Sequence, residues 1–184
     1  MTKLIGSKKI KTAVFISGTG SNLKNLIKFS KKKNSPISSK SKGLKYADQF
    51  KIKKKIFNFD HVTNTERKML IKLNKYEINF ICLAGFMKIL SKNFIKKFKG
   101  KIINIHPSLL PKYKGLNTHE RAIKNKDKFA GCSVHYVTEK LDSGKIIMQK
   151  KIKIANRDNS YSLAKKVLKQ EHKIYPASII QILN

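Results

Sequence analysis

Two apolar runs constrain the fold more than anything else in the chain. Phe80 to Ala84 (FICLA) has no polar position, and Thr12 to Ser17 (TAVFIS) is polar only at its ends. Successive side chains of a strand point to opposite faces, so a run without polar alternation must be covered on both. That is the setting of a central parallel strand with helices above and below it. The segments around these runs alternate in kind. Leu23 to Phe29 carries apolar residues at helical spacing, Leu44 to Phe50 reads as a short helix, and Lys54 to Phe59 reads as a short strand. Asn64 or Thr65 is the expected cap of a helix running to about Lys75. Gly85-Phe86-Met87 is expected to turn into a helical segment ending near Leu90, and Ser91 to cap another around Phe94 to Phe98. Strands are predicted over Lys101 to His106, Gly131 to Val137 and Lys145 to Ile154, and helices over Thr118 to Asn125 and from Ser160 through Gln170 onward. Alternating strands and helices predict an α/β fold, a doubly wound and mostly parallel sheet, in one domain over residues 1–184.

Composition narrows the function classes. Hydrophobic residues make up 40% of the 184 positions, enough for a sizeable core. No apolar run approaches the roughly 20 residues that span a bilayer. Met1 to Lys11 is polar and basic, unlike a secretory signal, so a cytoplasmic protein without membrane partners is expected. Cys82 and Cys132 sit among apolar or small residues and read as buried free thiols. No Cys, His or Asp cluster has metal-ligand spacing, so no metal is expected. The net charge is +32, from 42 basic and 10 acidic residues. Nucleic-acid binding is the obvious suspicion. Against it, only Arg67, Arg121 and Arg157 are arginine, and the lysines are spread from end to end. Readers of nucleic acid rely more on arginine's planar fork. Two readings stay open: drift in an A+T-rich coding sequence, and a basic surface suited to an anionic partner. Either produces a field that draws in phosphorylated or carboxylated small molecules.

Three groups of residues carry chemistry. Gly18-Thr19-Gly20-Ser21-Asn22 lies between a strand and a helix, where free backbone N–H groups and a small residue make an anion site. It matches neither the Walker nor the full dinucleotide pattern. Asn104 and His106 are two apart on a strand that Pro107 ends, so they share a face. An amide able to hold an oxyanion beside an imidazole able to move protons suits acyl transfer. Such a pair at the C-terminal end of a strand stands where open α/β sheets bind ligands. Asp142, in the turn Leu141-Asp142-Ser143-Gly144, is a carboxylate that can orient an imidazole. His119 and His135 read as supporting residues.

Together these pieces resemble the folate-dependent phosphoribosylglycinamide formyltransferase family of purine synthesis. The resemblance rests on five ordered segments: Ile16 to Leu23 (ISGTGSNL), Leu83 to Leu90 (LAGFMKIL), Asn104 to Pro111 (NIHPSLLP), Val137 to Gly144 (VTEKLDSG) and Gln170 to Pro176 (QEHKIYP). It implies a Rossmann-like fold and formyl transfer from 10-formyltetrahydrofolate, the co-substrate, to the amine of glycinamide ribonucleotide. It also implies that Asn104, His106 and Asp142 are catalytic: His106 as proton donor, Asn104 on the oxyanion, Asp142 raising the pKa of the histidine. Gly20, Ser21 and Asn22 would hold the ribonucleotide phosphate, helped by Leu168, Lys169, Gln170 and Glu171, with Glu171 near the amine. Met87, Lys88, Ile89 and Leu90, with Asn104 and Thr138, Glu139, Lys140, Leu141 and Asp142, would line the folate pocket. Methionyl-tRNA formyltransferases and formyltetrahydrofolate hydrolases share the catalytic trio. The segment Gly115-Leu116-Asn117-Thr118-His119, the Gly-Ser-Asn loop and the lack of room for a C-terminal tRNA-binding domain point instead to the ribonucleotide enzyme.

Three departures from the family pattern stand out. Lys88 occupies the place of an expected arginine, keeping the charge without the fork. Asn34 to Ser41 is short and polar where the family has a second strand and its turn, and the chain stops soon after Pro176. A lost strand predicts an exposed edge beside the first strand, lower stability, and a less ordered region between Asn34 and Lys55. Two alternatives follow: a shortened and catalytically impaired homologue, and a basic nucleic-acid-binding protein that keeps the fold.

Overall fold

The computed structural model describes residues 10–29, 37–38, 44–49 and 51–183. The described strands are β1 (Thr12–Phe15), β2 (Ile37–Ser38), β3 (Lys54–Lys55), β4 (Phe80–Leu83), β5 (Lys101–His106), β6 (Phe129–Tyr136) and β7 (Ile146–Lys153). The described helices are α1 (Ser21–Phe29), α2 (Leu44–Gln49), α3 (Val62–Lys75), α4 (Lys92–Lys97), α5 (Thr118–Lys124) and α6 (Ser160–Leu183). The strands form one sheet in the order β3-β2-β1-β4-β5-β6-β7. Pairing is parallel from β3 through β5, and β6 runs antiparallel to both of its neighbours. The expected doubly wound, mostly parallel α/β sheet is therefore present.

Both faces of the central strands are covered, as the apolar runs require. Val14 and Ile16, Phe80, Cys82 and Ala84, and Ile103 and Ile105 pack into one core cluster with α1 and α6. Ala13 and Phe15, Ile81 and Leu83, and Ile102 enter a second cluster with α3 and α4. The alternation is strict because the side-chain period of a strand is two. Cys82 and Cys132 are buried free thiols.

Polar contacts help to seat helix α6. The Tyr175 hydroxyl donates to the Leu83 carbonyl at 2.7 Å in the buried interior. Pro176 lies inside the helix and has no N–H to offer the carbonyl four residues back. That carbonyl belongs to His172, and the Asn25 amide of α1 donates to it at 2.7 Å. The proline thus opens an acceptor that ties α6 to α1.

Several expectations need correction. The place beside β1 is filled: Ile37–Ser38 pairs in parallel with Val14 and Phe15 on one side and with Lys54 and Lys55 on the other. Two residues suffice for this bridge, and no periodicity can reveal so short a strand. The rest of the segment from Asn34 to Ser41 lies outside the described residues, as does part of the expected less ordered region. The strand expected over Lys54 to Phe59 is only Lys54–Lys55. Helix α3 starts at Val62 rather than after Asn64 or Thr65, and its N-cap, His61, makes no side-chain cap. Thr65 spends its hydroxyl on the Asn58 carbonyl at 2.5 Å. No helix forms between Phe86 and Leu90. The backbone there is engaged by the end of β1: Ser17 N–H donates to Gly85 O at 3.1 Å and Met87 N–H to Ser17 Oγ at 3.0 Å. The Ser91 cap is as expected, its hydroxyl accepting from Phe94 N–H at 3.1 Å.

Candidate active site

Strand β5 ends at the floor of a cleft of about 710 Å³, a volume suited to a cofactor-sized molecule. Asn104 and His106 both line it, as their shared face requires. So do all of Met87, Lys88, Ile89, Leu90, Thr138, Glu139, Lys140, Leu141 and Asp142. Met87 and Ile89 are 65% and 72% exposed, so the mouth of the cleft carries apolar side chains open to solvent.

The β5–β6 register decides which polar groups meet. Asn104 lies opposite His135, and His106 opposite Ser133. Directly opposed residues share a face, and the Asn104 amide nitrogen sits 3.3 Å from His135 Nε2. His135 Nδ1 donates to the Tyr136 carbonyl at 2.9 Å, so Nε2 is the nitrogen that faces both Asn104 and Asp142. Asp142 comes from the β6–β7 connection, with φ of 45°. The connection closes tightly because Gly144 has no Cβ: one placed there would lie 1.8 Å from the Tyr136 carbonyl oxygen. Asp142 Oδ2 stands 3.4 Å from His106 Nδ1 and Oδ1 stands 3.6 Å from His135 Nε2. The Gly115 N–H donates to Oδ2 at 2.9 Å. The other imidazole nitrogen of His106, Nε2, donates to the Tyr113 carbonyl at 2.9 Å.

These contacts set the charges. Burial acts to raise the Asp142 pKa, but hydrogen bonds from His135 and the Gly115 N–H, with the nearby imidazoles, outweigh it and hold the carboxyl below its usual range. His106 is pushed the other way from the expectation. Burial first, with the charges of His135 and Arg121, lowers its pKa by more than the Tyr113 carbonyl and Asp142 raise it. Asp142 does act upward, as expected, but an imidazole whose side chain is only 7% exposed loses more from desolvation. His119 is likewise lowered, by burial and by His106.

The glycine turn and α6 make a second polar region, outside the lining of the cleft. Gly20 has φ of 75°, a conformation that favours glycine. Its carbonyl accepts the Lys24 N–H at 2.8 Å. The N–H groups of residues 21–23 precede that bond and have no partner within the helix. Helix α1 begins at Ser21, two residues before the expected start. The Asn22 amide donates to Glu171 Oε2 at 2.6 Å, and Asn22 Oδ1 is buried without a partner. The Asn22 amide nitrogen is thus engaged with Glu171, while its carbonyl oxygen has no partner among the described residues. Burial raises the Glu171 pKa, opposed by that single bond from Asn22. Lys169 is exposed and lies roughly 200° around α6 from Glu171, away from this region, whereas Leu168 shares the Glu171 side. Among the described residues no group of three or more His, Cys, Asp or Glu could hold a metal ion.

Sequence reasoning read His135 as a supporting residue from its alternation on a strand, and the structure gives it Asn104 and Asp142 as neighbours. It missed the Tyr113 carbonyl and the Gly115 N–H. Nothing local marks the backbone groups.

A profile of the formyl transferase family matches residues 10–179. The phosphoribosylglycinamide formyltransferase of Haemophilus influenzae is 40% identical over 180 residues, covering 92% of this chain and 85% of that protein. The human trifunctional purine biosynthetic protein adenosine-3 is 40% identical over 183 residues, covering 94% of this chain. The chain spans only 18% of that relative's length. Among solved structures, the phosphoribosylglycinamide formyltransferase of Anaplasma phagocytophilum superposes with a TM-score of 0.89 at 38% identity, over 96% of this chain and 87% of that one.

Proposed function

The chain belongs to the formyl transferase family, and we propose that it transfers a formyl group from 10-formyltetrahydrofolate to the amine of glycinamide ribonucleotide, in de novo purine biosynthesis. The observation that carries this reading is the meeting of Asn104, His106 and Asp142 at the floor of the cleft, each within hydrogen-bonding or ion-pair reach of another polar group of the site. The names of the relatives support the choice of substrates.

In this reading the amine attacks the formyl carbon, forming a tetrahedral oxyanion. The Asn104 amide donates to that oxygen, exchanging His135 Nε2 for it. Donors aimed at developing charge form the largest single contribution in many such reactions. His106 answers the oxyanion with its charged form. That form has two N–H groups, one held by the Tyr113 carbonyl and one facing Asp142, so charging it as the oxyanion develops is favoured over charging it in the empty site. A proton passes from the attacking amine to the departing folate nitrogen through His106 or a water. The folate lies along Met87 to Leu90 and Thr138 to Asp142, with Lys88 supplying a cation at the mouth. The ribonucleotide phosphate sits on the free N–H groups after Gly20, and Glu171 pairs with the amine as an ammonium, whose extra proton leaves to the carboxylate or a water before the free amine attacks. One formyltransferase domain in the cytoplasm, acting on small molecules and needing no metal, completes the reading.

A spectroscopic assay with glycinamide ribonucleotide and a formylated folate tests it. The expected result is stoichiometric transfer that His106→Ala and Asn104→Ala abolish or nearly so. A folded protein that transfers nothing from any formylated folate would remove the reading.

A further inference from the structure

The two catalytic groups that face one another, His106 and Asp142, are both held by one loop rather than by each other alone. The segment from Tyr113 to Asn117 presents its Tyr113 carbonyl to His106 Nε2 at 2.9 Å and its Gly115 N–H to Asp142 Oδ2 at 2.9 Å. Its backbone is an unusual one. Tyr113, Gly115 and Asn117 have φ of 54°, 77° and 57°, so every second residue is left-handed. Bulky L-residues such as Tyr adopt that region only where the surroundings hold them there.

What holds them is Arg121, one turn into α5. Its Nη1 donates to the Lys114 carbonyl at 2.7 Å and to the Leu116 carbonyl at 3.3 Å. Its guanidinium carbon lies 4.9 Å from the centre of the Tyr113 ring. One planar cation thus grips the two carbonyls that flank Gly115 and stacks on the residue whose own carbonyl meets His106. The planar guanidinium faces the ring while it donates within its own plane, a geometry that an ammonium does not reproduce. Asp127 steadies the same ring from its edge, accepting from the Tyr113 hydroxyl at 2.8 Å. Arg121 itself is exposed and is not among the residues that line the cleft.

We propose that Arg121 is a positioning residue for formyl transfer, fixing the 113–117 loop so that its carbonyl and N–H hold His106 and Asp142 in register. The inference rests on the formyl-transfer reading for its kinetic arm, but not for its titration arm. Besides the Tyr113 carbonyl, the charged and titratable groups that act on His106 are Asp142 from the β6–β7 connection, His135 on β6, and Arg121 and His119 on α5. Removing Arg121 outright removes a cation as well as a clamp. Arg121→Lys keeps the cation and loses the fork, and so isolates the clamp.

The test is a pair of variants, Arg121→Lys and Arg121→Ala, read in two ways. Turnover is measured with both substrates. The imidazole of His106 is titrated by NMR in the free protein and assigned by its absence in His106→Ala. Loosening the loop weakens the Tyr113 carbonyl bond, which favours the charged imidazole, so the midpoint of His106 is expected to fall in Arg121→Lys. Its kcat is expected to drop about tenfold and that of Arg121→Ala toward a hundredfold, the scale of a remote misplacement of catalytic groups. KM for both substrates should stay within about twofold. Wild-type kcat in both variants, or a slowed Arg121→Lys whose His106 titrates at the wild-type midpoint, overturns the proposal. If the wild-type protein transfers no formyl group, the functional reading fails, while the titration still decides whether Arg121 holds the loop.

Discussion

Asp142 and Glu171 are carboxylic acids buried in the same small molecule, and their surroundings drive them in opposite directions. Both are penalised by burial first. Asp142 is answered by two donors, His135 and the Gly115 N–H, and by the nearby imidazole of His106. Glu171 is answered by one, the Asn22 amide. The first carboxyl therefore ends below its ordinary value of 3.8 and the second above 4.5. The number of donors that reach a buried carboxylate, not the burial itself, decides its charge. The contrast suits the proposed division of labour. Asp142 must remain an anion to steady an imidazolium, whereas Glu171 waits for a cation that only the substrate supplies.

The largest effect should come from the anionic side. His106→Ala and Asn104→Ala should each lower turnover by about 10²–10³ at constant fold, as loss of one oxyanion donor typically does. Single-turnover kinetics and circular dichroism check this, and a near-normal rate removes the residue from the mechanism. Asp142→Asn should also slow transfer. In addition it should lower the midpoint of His106, because the carboxylate acts upward on that imidazole. A midpoint that rises or stays would break the assignment of Asp142 as the partner of His106.

Glu171→Gln attacks the other side of the comparison. Loss of one charge-assisted hydrogen bond, roughly 1.5–3 kcal/mol, should weaken ribonucleotide binding by tenfold or more and leave folate binding alone. Calorimetry with each ligand separates the two, and an equal loss for both would place Glu171 outside the ribonucleotide region.

The same two residues predict opposite pH dependences of stability. Asp142 has a lowered folded pKa, so its contribution is full above 3.8 and is lost as pH falls through the folded value. His106, also lowered, loses its contribution as pH falls below 6.5. Glu171 has a raised folded pKa, so its contribution is full below 4.5 and is lost as pH rises through the folded value. Glu171→Gln should therefore gain stability relative to the parent as pH climbs from 4.5, while Asp142→Asn should lose relative stability as pH climbs toward 3.8 and no further above it. Denaturant titrations at several pH values would show gaps opening in opposite senses. Gaps of the same sign would mean that donor count does not govern these sites.

The smallest expected effect concerns the helix that carries Glu171. Asn159 Oδ1 accepts the Ser162 N–H at 2.9 Å, and the Ser162 hydroxyl accepts the Asn159 N–H at 3.1 Å, closing the start of α6 reciprocally. Asn159→Ala should cost about 1 kcal/mol. Glu171 lies 12 residues further on, so ribonucleotide affinity should not move. A coupled loss of affinity would show that fraying at the helix start reaches the site.

Much of this was legible because it is local or periodic. Phe80 to Ala84 had to be a strand covered on both faces, Ser91 had to cap a helix, and Asn104 had to share a face with His106. These follow from two-residue and 3.6-residue periods that no partner can change. The misses are also of one kind. Phe86 to Leu90 has residues that suit a helix, yet its backbone bonds to Ser17, far away in sequence. Ile37–Ser38 becomes a strand only because β1 and β3 lie on either side of it.

What the sequence determined by itself, then, is which residues form the sheet and which polar side chains stand at its C-terminal ends. Those choices depend on propensity, spacing and hydrophobic burial along a single segment. Only the tertiary structure decided how the polar groups charge one another. His135 meets Asn104 through the register of two antiparallel strands, and Tyr113 and Gly115 reach His106 and Asp142 through a left-handed loop gripped from another helix. Desolvation and Coulomb interactions depend on distances of a few ångströms between segments far apart in the chain. No pattern within one segment encodes such distances, so the direction in which Asp142, His106 and Glu171 titrate belongs to the fold.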